Sequence, residues 1–399
     1  MRALPLLQWA MFSRRTGWAR APNRLSAAVE ARRRSGAPLL DLTETNPTRA
    51  GLRAPADVLR ALADPGALAY EPDPLGRLPA REAITADFRR RGADVAPDRL
   101  LLTASTSEAY AFAFKLLCDP GDTILVPRPS YPLFEYLAGL ESVSVESYPL
   151  RYDGTWHIDL AELADALTER TRAIVAVSPN NPTGSFAKVA EVEALRSLAA
   201  RHGSAILSDE VFADFPLRDD PARARTLFAD GPALTLCLGG LSKSCGLPQL
   251  KLAWMALAGP AAAREEARAR LEVVADTYLS VSSPVQHAAP AILARAEELQ
   301  APIRERVRSN LEVLGAAAAG SPATLLDAEG GWSAVLHVPA TRSEDEWVLA
   351  LAEQDGVLVH PGYFFDFPRE AYLVLSLLPP PDEFARGAAR IVERVKRSA

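Results

Sequence analysis

From about residue 55 to residue 298, short aliphatic and β-branched runs alternate with amphipathic stretches, and this rhythm restricts the chain more than any other feature. The runs Leu100–Thr103, Thr123–Val126, Val143–Tyr148, Ala173–Val177, Ala205–Ser208, Leu234–Leu238 and Leu252–Ala258 read as strands. Helix-length segments such as Ser107–Leu117, Leu133–Leu140, Ala187–Arg201 and Ala261–Ala275 lie between most of them. Parallel neighbours need a crossover, usually a helix, so the alternation predicts an α/β fold around a mostly parallel, seven-stranded sheet flanked by helices. Such sheets bind ligands at the carboxyl ends of their strands, which is where chemistry is to be sought.

After about residue 300 the pattern changes to a long Arg/Glu/Leu helix (Pro302–Ala318), strands at Ala334–Val338, Val357–Val359 and Tyr372–Leu377, and a terminal helix at Pro381–Arg397. This reads as a smaller α+β domain. The expected organisation is therefore an N-terminal arm that also contributes to the small domain (1–50), a large domain (51–298) and a small C-terminal domain (299–399). The apolar stretch within Met1–Phe12 superficially suggests a secretory signal. Gln8 and Trp9 interrupt it, however, and Ser13-Arg14-Arg15 stands where small residues for cleavage belong, so an arm is the better reading.

Composition narrows the partners. Charge is nearly balanced, 44 basic against 50 acidic residues, so no broad basic footprint points to nucleic acid. No apolar run reaches the roughly 18 residues a membrane helix needs. Three cysteines without CxxC spacing (Cys118, Cys237, Cys245) suit reduced thiols in a cytoplasm, and five scattered histidines offer no i, i+4 metal pair.

The chain has five lysines and 39 arginines. Arginine is effectively always protonated and cannot act as an amine nucleophile, whereas lysine can. A rare lysine in the glycine-flanked run Gly239-Gly240-Leu241-Ser242-Lys243-Ser244-Cys245-Gly246 therefore asks for a chemical explanation. Two further strands deliver polar groups to the same sheet edge: Ser178-Pro179-Asn180-Asn181-Pro182-Thr183-Gly184 follows one, and the next ends in Ser208-Asp209-Glu210. Taken singly, these read as an Asn-Pro turn, a helix-capping aspartate and a solvated lysine. Together they place an amide, a carboxylate and a deprotonatable amine side by side.

The ordered series closely resembles the fold-type I pyridoxal-phosphate (PLP) aminotransferases, class I/II, of the aspartate aminotransferase superfamily. The matching residues are Asn46-Pro47, Tyr70 ahead of Gly76 and Arg81, Thr103–Glu108, Pro129-Ser130-Tyr131, Asn181-Pro182-Thr183-Gly184, Asp209-Glu210-Val211-Phe212, Ser242-Lys243 and Pro361-Gly362. The resemblance implies a PLP enzyme that exchanges an amino group between an amino acid and a 2-oxo acid, working as a homodimer in the cytoplasm. It implies Lys243 as the amine that carries PLP as an imine and then moves a proton between substrate and cofactor. Asp209 would sit against the pyridine nitrogen, Asn181 would donate to the ring oxygen O3′, and Tyr131 would stack on the ring. Ser105, Thr106 and Ser107, with Lys251 as the cation, would hold the phosphate, Ser242 beside the lysine would be cofactor-binding, and Tyr70 would reach the phosphate of the neighbouring subunit.

Four departures from the family pattern stand out. Lys251 replaces a customary arginine, Gly240 a serine, and Phe212 a tyrosine whose phenol donates to O3′. Val374-Leu375-Ser376 lacks the arginine that clamps the substrate α-carboxylate, for which Arg49, beside Asn46, and Arg128 are the candidate replacements. Two other readings stay open at this level: a PLP enzyme with another carbanion fate, such as decarboxylation or β-elimination, and a non-catalytic ligand-binding scaffold.

Overall fold

The computed structural model describes residues 11–19 and 21–398, so most of the Met1–Phe12 stretch lies outside the described residues. All seven expected strands form, within a residue or two of their sequence limits at most ends, in one sheet. Its order is Leu100–Thr103, Ala253–Ala258, Thr235–Gly240, Ala205–Asp209, Thr171–Val177, Thr123–Arg128, Ser144–Tyr152 and Trp156–Ile158. The eighth member, Trp156–Ile158, is a three-residue edge strand that returns antiparallel along Leu150–Tyr152 after the turn at Gly154. It is too short to carry a period of its own, which is why seven strands were expected. The five strands from Thr235–Gly240 to Ser144–Tyr152 are parallel, while Ala253–Ala258 runs antiparallel to both its neighbours.

Strands in the middle of this sheet are buried along their length, as aliphatic runs covered by helices on both faces must be. The helix Thr106–Leu117 covers one face with Ala109, Phe112, Ala113 and Phe114. The helices Leu78–Arg90, Val189–His202 and Ser283–Leu293 pack into the core of the other.

A second, four-stranded sheet is antiparallel, in the order Thr324–Leu325, Ser333–His337, Tyr372–Ser376 and His360–Pro361. Its core joins the N-terminal residues Leu25, Val29, Leu40 and Leu42 to C-terminal residues such as Trp347, Phe384 and Ile391. The strand Leu40–Asp41 pairs in parallel with Val357–Leu358. The long helix here begins at Ala296, not at Pro302, which lies inside it.

Candidate active site

Asp209 ends its strand in register with Val177 and Leu238, so the loops after three parallel strands open at one sheet edge. Asn181 follows the first, Asp209 closes the second, and Lys243 stands in the short helix Leu241–Ser244 directly after the third. All three line a single cavity of about 470 Å3. Lys243 Nζ faces aromatic rings, 5.2 Å from the centroid of Trp332 and 5.6 Å from that of Phe212. Withdrawal from bulk water lowers its pKa, an effect only partly offset by the charge of Asp209, so the free amine is favoured relative to an ordinary lysine.

Asp209 receives the Tyr110 hydroxyl on Oδ2 at 3.0 Å and the Val211 N–H on Oδ1 at 3.1 Å. Desolvation nevertheless dominates and lifts its pKa to about 6, because two neutral donors do not replace a counter-charge. The same desolvation, together with Asp209, pushes the Tyr110 phenol well above its usual range, so it remains a donor. The Asn181 carbonyl oxygen accepts from the Ser333 hydroxyl at 3.1 Å, which leaves its NH2 group as the free end of the amide. Asn180, its neighbour, fixes the loop by donating to Pro129 O at 3.1 Å and Thr183 Oγ1 at 2.9 Å.

Thr106 and Ser107, at the start of the helix Thr106–Leu117, line the cavity, as does Ser242. Ser105 does not; its hydroxyl accepts the Glu108 N–H at 3.1 Å and serves as the helix cap. Tyr131 stands at the mouth, 47% exposed, in a loop anchored where the Ser130 N–H donates to Phe365 O at 2.9 Å. Phe212 lines the cavity edge-on to Trp332, with ring centroids 5.2 Å apart. Gly240 has a steric cause: a Cβ there would lie 2.9 Å from Ala253 Cβ on the paired strand, so a serine does not fit.

Five expected residues lie elsewhere. Arg49 is a surface residue facing Glu44 at 3.6 Å, with its side chain 76% exposed, and it does not reach the cavity. Asn46 spends its side chain on the turn, accepting the Thr48 N–H at 3.0 Å, while Thr43 and Thr45 from the same segment line the cavity instead. Arg128 donates to Asp366 O at 2.7 Å on the far side of Tyr131. Lys251 is exposed, in a left-handed backbone turn (φ +54°), and does not line the cavity. Tyr70 is 75% exposed and also lies outside the cavity; its segment is held by Arg81, which donates to Gly76 O at 2.7 Å and Pro97 O at 2.8 Å.

Sequence reasoning missed Tyr110, Trp332, Ser333 and His360, all of which line the cavity. Tyr110 lies four residues beyond Thr106 on the same helix, hence on the same face, which was a usable signal. His360 directly precedes Pro361-Gly362. Val374, Leu375 and Ser376 line the cavity as well, so the position lacking its arginine does face it.

The donor set suits PLP: a lysine amine with depressed basicity, a carboxylate short of a counter-charge, an amide donor, and two hydroxyls at the start of a 12-residue helix, where backbone N–H groups favour an anion. Comparison with known proteins agrees. The family described as "Aminotransferase class I and II" matches residues 36–391. The chain is 28% identical to an alanine aminotransferase of Mycobacterium tuberculosis over 393 residues, 93% of this chain and 87% of that protein. It is 33% identical over 258 residues, 63% of each protein, to a glutamate-pyruvate aminotransferase of Escherichia coli. In fold it is similar to an alanine aminotransferase from Pyrococcus furiosus, with a TM-score of 0.87 at 23% identity, covering 97% of this chain and 100% of that one.

Proposed function

The chain belongs to the class I and II aminotransferases, and from that premise we propose which of its residues do the work and on what substrates. It is a PLP-dependent transaminase that moves an amino group between an amino acid and a 2-oxo acid. When bound, PLP supplies an electron sink for the pair released at the substrate Cα. Lys243 would hold it through Nζ and, once displaced by substrate, carry the Cα proton as base and then acid. Its depressed basicity in an aromatic surround is the observation that carries this assignment.

Asp209 would keep the pyridine nitrogen protonated, since a carboxylate without a cation gains most from one placed against it. Tyr110 orients that carboxylate. The Asn181 NH2 would donate to the ring oxygen, Tyr131 would cover the ring face, and Thr106, Ser107 and Ser242 would hold the phosphate. The remaining lining is largely aromatic and aliphatic, which favours amino acids with uncharged side chains over dicarboxylic donors.

A homodimer is part of the same reading. Leu68, Tyr70, Tyr278 and Leu279 are 92%, 75%, 51% and 66% exposed, which is costly for large apolar groups unless a second copy covers them. The division into 1–50, 51–298 and 299–399 belongs to the same reading; the presence of two separate main sheets supports it, although Phe212 and Phe215 join the smaller core and Val335 and Val374 the larger. A cytoplasmic setting is supported by the three free cysteines. No helix among the described residues is long and apolar enough to cross a membrane.

Borohydride reduction of the holoenzyme followed by peptide mapping tests the central assignment. The pyridoxyl group is expected on Lys243, and its appearance on Lys251 would overturn the reading. A panel of amino acids screened for loss of the visible cofactor band then identifies the donor, with apolar side chains expected to react fastest.

A further inference from the structure

A carboxylate taken out of water needs a cation or several free donors, and Val374 provides neither. Among the described residues lining the cavity only two can carry positive charge, Lys243 and His360. The hydroxyls of Ser376, two residues along the same strand, and of Ser333, its cross-strand partner, are already spent. Ser376 donates to Glu44 O at 2.7 Å, and Ser333 donates to Asn181 at 3.1 Å. His360 is the cross-strand partner of Val374, so its Cα lies directly opposite the place where the family pattern has arginine. Its ring packs against Phe364 and Phe365, with centroids 5.6 and 5.7 Å away, and neither ring nitrogen has a hydrogen-bond partner among the described residues.

We propose that His360 is the specificity-determining residue that receives the substrate carboxylate, as an imidazolium, from the strand facing Val374. The proposal rests on the reading of this cavity as the transamination site.

The surroundings favour a proton that arrives with the ligand. Burial lowers the His360 pKa, and the only charge that raises it is that of Asp41. Asp41 already accepts the Thr43 N–H at 3.0 Å and its hydroxyl, and pairs with Arg33 at 3.6 Å, so it is poorly placed to hold a second cation. The groups from the other packed elements, Val374, Phe364 and Phe365, are uncharged, and Lys243, Asp209, Tyr110 and Tyr131 are the titratable groups around the cavity. His360 is therefore neutral at neutral pH until a carboxylate raises its pKa. Binding then takes up a proton, and affinity is highest below the pKa of the free imidazole. It weakens about tenfold per pH unit up to the pKa of the bound one, and is level beyond.

The test uses the holoenzyme with propionate as the carboxylate probe, binding being read from the visible cofactor band. Calorimetry in two buffers of different ionisation enthalpy counts protons, and any proton gained at Lys243 Nζ shows in the band and is subtracted. Wild type is expected to take up close to one further proton at neutral pH. In His360→Gln, propionate should bind about 10- to 100-fold more weakly at pH 6, with the pH slope removed. The half-reaction should lose kcat/KM with L-alanine but keep it with ethylamine. No further proton uptake in wild type, a slope that persists in His360→Gln, or equal losses with alanine and ethylamine would each overturn the proposal. Borohydride trapping on the same samples separates the two readings: label on Lys243 with an unchanged propionate profile defeats only the role of His360, whereas label elsewhere defeats the site itself.

Discussion

Asp209 and Glu210 are adjacent carboxylates at the end of one strand, and the chain treats them in opposite ways. Successive side chains of a strand leave opposite faces, so Asp209 enters the cavity and Glu210 the packed side of the sheet. Glu210, 4% exposed, is saturated. Arg91 donates to it at 3.0 Å, the Thr226 hydroxyl at 2.8 Å, the Ser208 hydroxyl at 3.0 Å and the Leu227 N–H at 2.7 Å. Asp209 has two neutral donors and, among the described residues, no cation within ion-pair distance. One region spends its charge on holding the fold; the other keeps charge in reserve for a ligand. Desolvation without pairing is therefore the mark that separates chemistry from architecture at this strand end.

The comparison breaks most visibly at Lys243, which belongs to the unpaired side. Lys243→Ala removes the amine proposed to hold the cofactor and move the proton, and a single-turnover half-reaction should slow by at least about 10^4-fold. Its stability should fall little, since Nζ makes no ion pair among the described residues. A variant that retained a tenth of wild-type activity would remove Lys243 from the mechanism.

Glu210 should behave in the reverse manner. Glu210→Ala leaves Arg91 buried beside Asp87 without its main partner, and urea denaturation should report a loss of about 3–5 kcal/mol. Residual folded enzyme should keep its affinity for amino acid substrates. If stability held and activity vanished, the division between the two carboxylates would be wrong.

Asp209→Asn sharpens the contrast with a pH signature. Its folded pKa of about 6 lies above the ordinary aspartate value of 3.8. The neutral acid therefore stabilises the fold fully below about pH 4, and that contribution is lost as pH rises through 6. In cofactor-free protein the asparagine variant should match wild type at pH 4 and exceed it above pH 7, by up to about 3 kcal/mol. Activity should nevertheless fall about 10²- to 10³-fold, because an amide cannot hold a protonated ring nitrogen. Equal stability at both pH values would show that Asp209 finds a cation the geometry does not reveal.

Much of this was legible in the sequence because it is local. The strand runs, the Asn-Pro turn after one of them and the rare lysine after another all announce themselves within a few residues. What depends on register was hidden. His360 faces Val374 only because two strands pair antiparallel, and in the sequence it was one of five scattered histidines tested against metal spacing. Arg49 is a candidate for the carboxylate because it stands beside Asn46, yet the turn that Asn46 builds leaves it at the surface beside Glu44. The segment does contribute to the cavity, but through Thr43 and Thr45.

The smallest effect concerns Phe212, where the unpaired region lacks a donor that the family usually supplies. Its ring is buried edge-on to Trp332, and its centroid lies 5.6 Å from Lys243 Nζ. With the Asn181 carbonyl engaged by Ser333, the Asn181 NH2 is the end of the amide that the proposed assignment gives to the cofactor's phenolic oxygen. Phe212→Tyr adds a second. Each donor spreads the negative charge of that oxygen and loosens its hold on a proton at Nζ, so the visible band should titrate at lower pH, by less than about one unit. Stability should change little, because the added hydroxyl can extend along a wall that already opens to the cavity. The Trp332 indole N–H is buried without a hydrogen-bond partner among the described residues. A band that titrated at unchanged pH would mean that this N–H already holds the oxygen, and Trp332→Phe in the same titration should then raise the pH of the transition.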